Sequence, residues 1–310
     1  MEILVAGGAG FIGSHLVGAL LEQKKRHSIT VVDNYCTGSK DNHLRSADVK
    51  YVEADICDYK DTVKYDRIIN LACPASPVAY QTTPIQTMLT NVQGTYNLLG
   101  MAYLCKARFL QASTSEVYGN PLEHPQVEEY WGNVNSYGPR ACYDEGKRAA
   151  ETMIYDFQRV AQMDCRIVRI FNTYGPRMAE NDGRVVSNFI MQAIKNDPIT
   201  IYGDGSQTRS FCYVSDTVEA ILRVLEGKYE RPLNVGNPKE NTVLELAGAV
   251  IKATKSKSNI VSKPLPVDDP LQRCPDISKM KKLYHWEPIV NLKDGLAKTV
   301  KYFKSIQLKK

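Results

Sequence analysis

The chain has 310 residues, 43% of them hydrophobic, with a formal net charge of +5. That length and composition support one large core or two modest ones and exclude a disordered chain, and no apolar run approaches the ~20 residues a membrane helix needs. The eight cysteines include no Cys-x-x-Cys pair, and the surplus charge is spread along the chain, gathering mainly at Lys279, Lys281, Lys282, Lys309 and Lys310. The expectations are reduced thiols in a cytoplasmic setting, no metal, no nucleic-acid partner and no membrane attachment.

In chain order, strand patterns fall at Glu2–Ala6, 29–33, 50–53, 67–71 and 108–112, with helical patterns at 11–23 and 84–104 between them. A helix over 142–162 and an apolar strand Cys165–Ile170 follow. Strand–helix–strand repetition of this kind predicts an α/β fold: a doubly wound parallel Rossmann sheet of six or seven strands. Beyond Phe171 the pattern loosens into turns, with helices at 184–196, Val214–Glu226 and 242–254. This predicts a dinucleotide-binding domain over 1–171, to which about 204–232 return, and a smaller interleaved cap over about 172–203 and 233–310 that holds a substrate.

The first strand runs into Gly7-Gly8-Ala9-Gly10-Phe11-Ile12-Gly13. Gly7 allows the sharp turn, Gly10 lets backbone amides approach a pyrophosphate, and Gly13 lets the helix pack close on the strand. Asp33 ends the second strand, where a carboxylate can accept the adenosine ribose hydroxyls and would repel a 2′-phosphate, so NAD+ is the expected cofactor. Asn34, Thr37 and Gly38 follow on the same edge. Asp55 and Ile56 stand where adenine would lie, and Leu71 and Ala72 where the nicotinamide half must pass.

Tyr143 and Lys147 stand four apart, on one face of the predicted helix. A phenol is a poor base at neutral pH, but an ammonium one turn away and a cationic nicotinamide both favour its phenolate. Taken alone, Tyr-x-x-x-Lys also describes a core tyrosine beside a surface lysine. At the end of the fifth strand, the ligand edge of such a sheet, stands Ser113-Thr114-Ser115-Glu116-Val117-Tyr118-Gly119.

With the glycine loop, these residues resemble the extended short-chain dehydrogenase/reductase family that works on nucleotide sugars. Gly138-Pro-Arg-Ala-Cys-Tyr143-Asp-Glu-Gly-Lys147-Arg, Arg169-Ile-Phe-Asn172, Asn181-Asp-Gly-Arg184, Gly205-Ser-Gln207-Thr-Arg209 and Pro275-Asp276 are similar to its UDP-glucuronic acid decarboxylase members. The resemblance implies conversion of UDP-glucuronic acid to UDP-xylose by C4 oxidation, loss of CO2 and re-reduction with the same NAD+. In that scheme Tyr143 takes the C4 hydroxyl proton, Thr114 shares its path, and Lys147 holds the nicotinamide ribose. Ser115 and Glu116 position the carboxylate or manage protonation at C5, and Arg273 reaches in from the cap. The resemblance also implies cofactor contacts at Thr90, Ala112, Thr173 and Arg184. Substrate contacts would come from Tyr80, Asn172, Gln207 and Arg209, with Val186 and Tyr202 at uracil. A homodimer through a four-helix bundle of regions 84–104 and 142–162 is implied as well.

Several positions depart from the family pattern. Leu89 replaces a lysine, which would remove a basic substrate contact; Cys274 replaces a lysine beside Arg273; Cys73 replaces a serine; and Ser136-Tyr137 replaces a Pro-Ile-like pair. A hexose 4,6-dehydratase would carry an aspartate in place of Ser115, and a 4-epimerase needs neither Glu116 nor Arg273. A UDP-apiose/UDP-xylose synthase would carry cysteines at the positions of Ser115 and Ala75, and a non-catalytic NAD-binding regulator would have lost Thr114, Tyr143 or Lys147.

Overall fold

The computed structural model describes residues 1–264 and 272–308; Lys309 and Lys310 of the basic group lie outside the described residues. Through the first half run β1 (Glu2–Ala6), α1 (Phe11–Leu21), β2 (Ser28–Asp33), β3 (Val49–Glu53), β4 (Arg67–Asn70), α2 (Pro77–Thr82), α3 (Pro84–Leu89), α4 (Thr95–Cys105), β5 (Arg108–Thr114), α5 (Ala141–Ala161) and β6 (Cys165–Ile170). The second half carries β7 (Thr173–Tyr174), α6 (Val185–Lys195), β8 (Ile199–Tyr202), β9 (Thr208–Ser210), β10 (Cys212–Tyr213), α7 (Val214–Glu226) and β11 (Leu233–Val235). It closes with β12 (Glu240–Thr242), α8 (Val243–Thr254), β13 (Ile260–Lys263), β14 (Gln272–Arg273), α9 (Ser278–Tyr284) and α10 (Leu292–Gln307).

Seven strands form one parallel sheet in the order β11-β6-β5-β4-β1-β2-β3. Its apolar residues alternate between two cores: Ile3 and Val5 of β1 join one, Leu4 and Ala6 the other. One core takes α1 and α7 with the packed faces of α6, α8 and α10, and the other takes α4 and α5. The chain reverses direction across the sheet between β1 and β4, which opens a crevice at the strands' carboxyl ends.

Three boundaries differ from the sequence pattern. The apolar run 84–104 is not one helix: α3 and α4 are joined by a π-turn over Thr90–Gly94. At this turn the Thr87 carbonyl accepts from the Thr90 amide and from the Asn91 side chain, the latter at 3.1 Å, and Thr90 faces the crevice. β11 lies in the main sheet, past the expected limit at 232, because its three buried residues continue the register of β6. Conversely β9 pairs with β12 and β14 in a separate three-stranded sheet, so the return from 204 onward reaches the main fold only at α7. Among the described residues no helix is long and apolar enough to cross a membrane.

Candidate active site

A cleft of about 1450 Å³ runs along the carboxyl edge of the sheet and under the small second-half sheets. Its floor is the glycine loop. Gly7 has φ +75°, and a Cβ there would lie 2.7 Å from the Leu71 carbonyl carbon; a Cβ on Gly13 would lie 2.2 Å from the Gly7 oxygen. Only glycine fits either place. Gly10, Phe11, Ile12 and Gly13 face the cleft, and the first turn of α1 has no side-chain cap and no acidic residue. That leaves backbone N–H groups for an anion.

Asp33 accepts from the Ala9 amide at 3.0 Å and the Tyr35 amide at 2.9 Å, so it braces the glycine loop as well as lining the cleft. Burial pushes its carboxyl pKa up, against the pull of those amides. Asn34 donates to Asp55 at 3.0 Å; burial pushes the Asp55 carboxyl up, but donors from Cys57, Asn34 and Gln86 bring it below the ordinary value. Thr37, Asp55, Ile56, Leu71, Ala72, Thr90 and Ala112 all line the cleft. Gly38 does not: it stands behind Asp33, where a Cβ would meet the carboxylate at 2.8 Å.

α5 brings Tyr143 and Lys147 into the same cleft, both buried. The Lys147 ammonium donates to the Ala112 carbonyl at 2.9 Å and sits 5.8 Å from the Tyr143 ring centre. The expected phenolate is not favoured in the protein by itself. Burial raises the Tyr143 pKa, the Cys73 thiol adds to it, and the Thr114 hydroxyl and Arg184 pull less strongly the other way. Burial likewise lowers the pKa of Lys147. Tyr80 stacks on Tyr143, centroids 5.1 Å apart and planes within 6°, and its buried hydroxyl has no hydrogen-bond partner among the described residues.

Glu116 receives two arginines. Arg273, only 2% exposed, donates from Nη1 to Glu116 Oε1 at 2.9 Å and from Nη2 to Oε2 at 3.3 Å. It also donates to Ser115 Oγ at 2.9 Å and the Gly119 carbonyl at 2.8 Å. Arg140 donates to Glu116 Oε2 at 2.7 Å. Burial disfavours the Glu116 carboxylate, yet Arg273 and Arg140 together hold its pKa well below the usual range. Arg140 stood in a motif that pointed to the Tyr143 helix, but sequence reasoning gave it no role. Its place one turn before Tyr143 was the available signal.

Tyr80, Asn172, Thr173, Arg184, Val186, Tyr202, Gln207, Arg209 and Arg273 also face the cleft. Thr173 lends it only part of its surface, because its hydroxyl turns inward to the Phe171 carbonyl and Thr217. Arg209 and Arg273 are register neighbours on β9 and β14. Arg184 stands at the amino-terminal boundary of α6, without capping it by its side chain, and pairs with Asp182 at 3.3 Å; Gln207 donates to the Tyr202 carbonyl at 2.7 Å. Leu89 is half-exposed and Cys274 buried, both outside the cleft lining. Cys274 instead gives its amide to Gln126 and its thiol to the Pro238 carbonyl.

The NAD dependent epimerase/dehydratase family model matches residues 3–236. UDP-glucuronic acid decarboxylase 2 of Arabidopsis thaliana is 52% identical over 307 residues, covering 98% of this chain and 68% of that one. Among solved structures, UDP-glucose 4-epimerase of Thermotoga maritima with UDP-glucose superposes with a TM-score of 0.91 at 29% identity, over 99% of this chain and 100% of that one. A dTDP-glucose 4,6-dehydratase of Streptomyces venezuelae with NAD bound gives 0.91 at 26% identity, over 100% and 98%. Likeness to the epimerase and the dehydratase is at the level of fold, whereas likeness to the decarboxylase extends through half the residues of nearly the whole chain. The chain is an enzyme of the NAD dependent epimerase/dehydratase family and belongs with its UDP-glucuronic acid decarboxylases.

Proposed function

We propose that the enzyme converts UDP-glucuronic acid to UDP-xylose and CO2, regenerating its NAD+ in each turnover. The observation that carries the reading is the pair of arginines on Glu116 beside Tyr143 and Thr114. It puts carboxylate-binding chemistry within the same cleft as a carbinol-oxidising group. A cradle too tight for any Cβ, an uncapped α1 terminus and Asp33 at the end of β2 fit a dinucleotide. NAD+ held there would supply the hydride acceptor, and its reduced form the hydride donor.

Tyr143 takes the proton of the C4 hydroxyl, with Thr114 holding the same oxygen. Burial keeps the phenol protonated in the protein alone, and the Lys147 ammonium, 5.8 Å from its ring centre, is the cation on the same helix placed to favour its ionisation. The resulting 4-ketone lies β to the C5 carboxylate, so the C5–carboxyl bond breaks with its electron pair delocalised into the ketone. Ser115, Glu116 and Arg273 hold that end of the sugar, and a proton then adds at C5. The second-half elements α6, β8, β9 and β14 take the UDP portion, with Val186 and Tyr202 at uracil and Asn172, Gln207 and Arg209 along the ribose and diphosphate. Ser115, where a hexose 4,6-dehydratase would carry an aspartate, and the Glu116–Arg273 pair, which a 4-epimerase does not need, weigh against those alternatives.

We further read the enzyme as a cytoplasmic homodimer. Ile85, Tyr96, Tyr103, Leu104, Tyr155 and Val160 are exposed apolar residues on α3, α4 and α5, the surface a four-helix bundle would cover. Incubation with UDP-glucuronate and substoichiometric NAD+ should give UDP-xylose and CO2 in equal amounts by NMR. Recovery of substrate unchanged, or of UDP-galacturonate, would overturn the reading.

A further inference from the structure

We propose that Arg140 is a positioning residue: from the head of the Tyr143 helix it fixes the Glu116 carboxylate in one ionised orientation, so that Arg273 need not hold it alone. The inference rests on the reading of the cleft as a decarboxylating site.

Arg140 belongs to two structures at once. Its carbonyl accepts the Tyr143 and Asp144 amides at 3.0 and 3.1 Å, which starts α5. Its guanidinium leaves the helix and reaches Glu116 Oε2 at 2.7 Å, across to the turn that follows β5. On the way it lies 5.8 Å from the centre of the Tyr80 ring, whose other contact is the stacked Tyr143. One side chain thus ties the carboxylate to the phenol and the ring beneath it. Arg273 approaches from β14, in a different sheet, and four of its donor contacts are already spent on Ser115, Glu116 and Gly119. If the two sheets shift when substrate enters, Arg140 is the partner that moves with the chemistry.

Charge points the same way. With Asp144 protonated, as it is below its raised pKa of about 7, two guanidiniums and one carboxylate leave this end of the cleft with one positive charge in excess, matched to one carboxylate on a substrate. The charged and titratable groups facing Glu116 are Arg273 from β14, Arg140, Tyr143 and Asp144 from α5, and Tyr80 from α2. Arg140 and Arg273 are the two that favour its ionised form, against burial. Arg140 shares that work with Arg273, whose attraction is the larger of the two.

The test is a carboxyl-carbon NMR titration of the ligand-free protein labelled in glutamate, which leaves Asp144 silent, with Glu116 assigned from the signal lost in Glu116→Gln. In Arg140→Gln the Glu116 midpoint should rise by at least about one pH unit, a tenfold change in proton affinity. Arg140→Lys, which keeps the charge, should recover most of the shift. An unchanged midpoint in Arg140→Gln, or equal shifts in the Gln and Lys variants, would overturn the proposal. Arg140→Met carries the same expectation should the Gln variant not fold. In the CO2-release assay the acid limb of Arg140→Gln should move up with that midpoint, and turnover should fall about 100-fold, as misplacement of a reacting partner does. Wild-type protein that releases no CO2 would refute the decarboxylase reading, while the titration would still decide the role of Arg140.

Discussion

Tyr143 and Lys147 carry opposite burdens from the same burial: the phenol resists losing its proton and the ammonium resists keeping it. Their spacing and their helix face were legible in the sequence; their desolvation was not, because it depends on Tyr80, Cys73 and Ala112 arriving from other elements. Tyr143→Phe should lower turnover by about 10²- to 10⁴-fold while leaving UDP affinity near wild type, checked by initial rates against equilibrium binding of UDP. A rate within threefold of wild type would remove Tyr143 from the assignment. Asp144 gives a pH signature of its own. Burial first, then the Glu116 carboxylate, pushes it up to about 7, and one of its oxygens has no partner among the described residues. Its folded pKa lies above its unfolded value, so its favourable contribution is complete below about pH 4 and is lost as pH rises through 7. Asp144→Asn should therefore gain on wild type by about 2 kcal/mol between pH 5 and pH 8 in urea unfolding. A constant difference across that range would contradict this.

At the scale of elements, periodicity located β1, β6 and α7 to the residue, since each is an apolar run with clear turns at its ends. It could not see the π-turn at Thr90–Gly94, because a single extra residue in a turn hardly disturbs an apolar stripe. Nor could it sort the arginines. Arg169 lay in a motif beside Asn172, yet it points away from the cleft into a partly buried pair with Glu151, at 3.0 and 2.7 Å, and also meets Tyr118 and the Glu128 carbonyl. This pair fastens β6 to α5 and so holds Tyr143 against the sheet. Arg169→Met should cost about 2–3 kcal/mol by leaving the partly buried Glu151 carboxylate with only the Ser113 hydroxyl as a donor. Adding Glu151→Gln should restore part of the loss, as read from chemical denaturation midpoints; strict additivity of the two costs would show that the pair is not coupled.

For the whole molecule, the doubly wound class followed from strand–helix alternation, but the last strand of the sheet did not. β11 is only three residues long and arrives after the second-half elements, so nothing local marks it as part of the first sheet. The same interleaving explains how the cleft is closed: Arg209 and Arg273 come from segments far apart in the chain and become neighbours only through β9 and β14. The cleft is assigned C4 oxidation, loss of the carboxyl group as CO2 and return of the same hydrogen to C4, a single hydrogen balance. It is tested most directly with UDP-glucuronate carrying deuterium at C4 and substoichiometric unlabelled NAD+. One CO2 should form per UDP-xylose, and the UDP-xylose should keep its deuterium at C4. Product without CO2, or UDP-xylose whose C4 hydrogen has come from solvent, would contradict it.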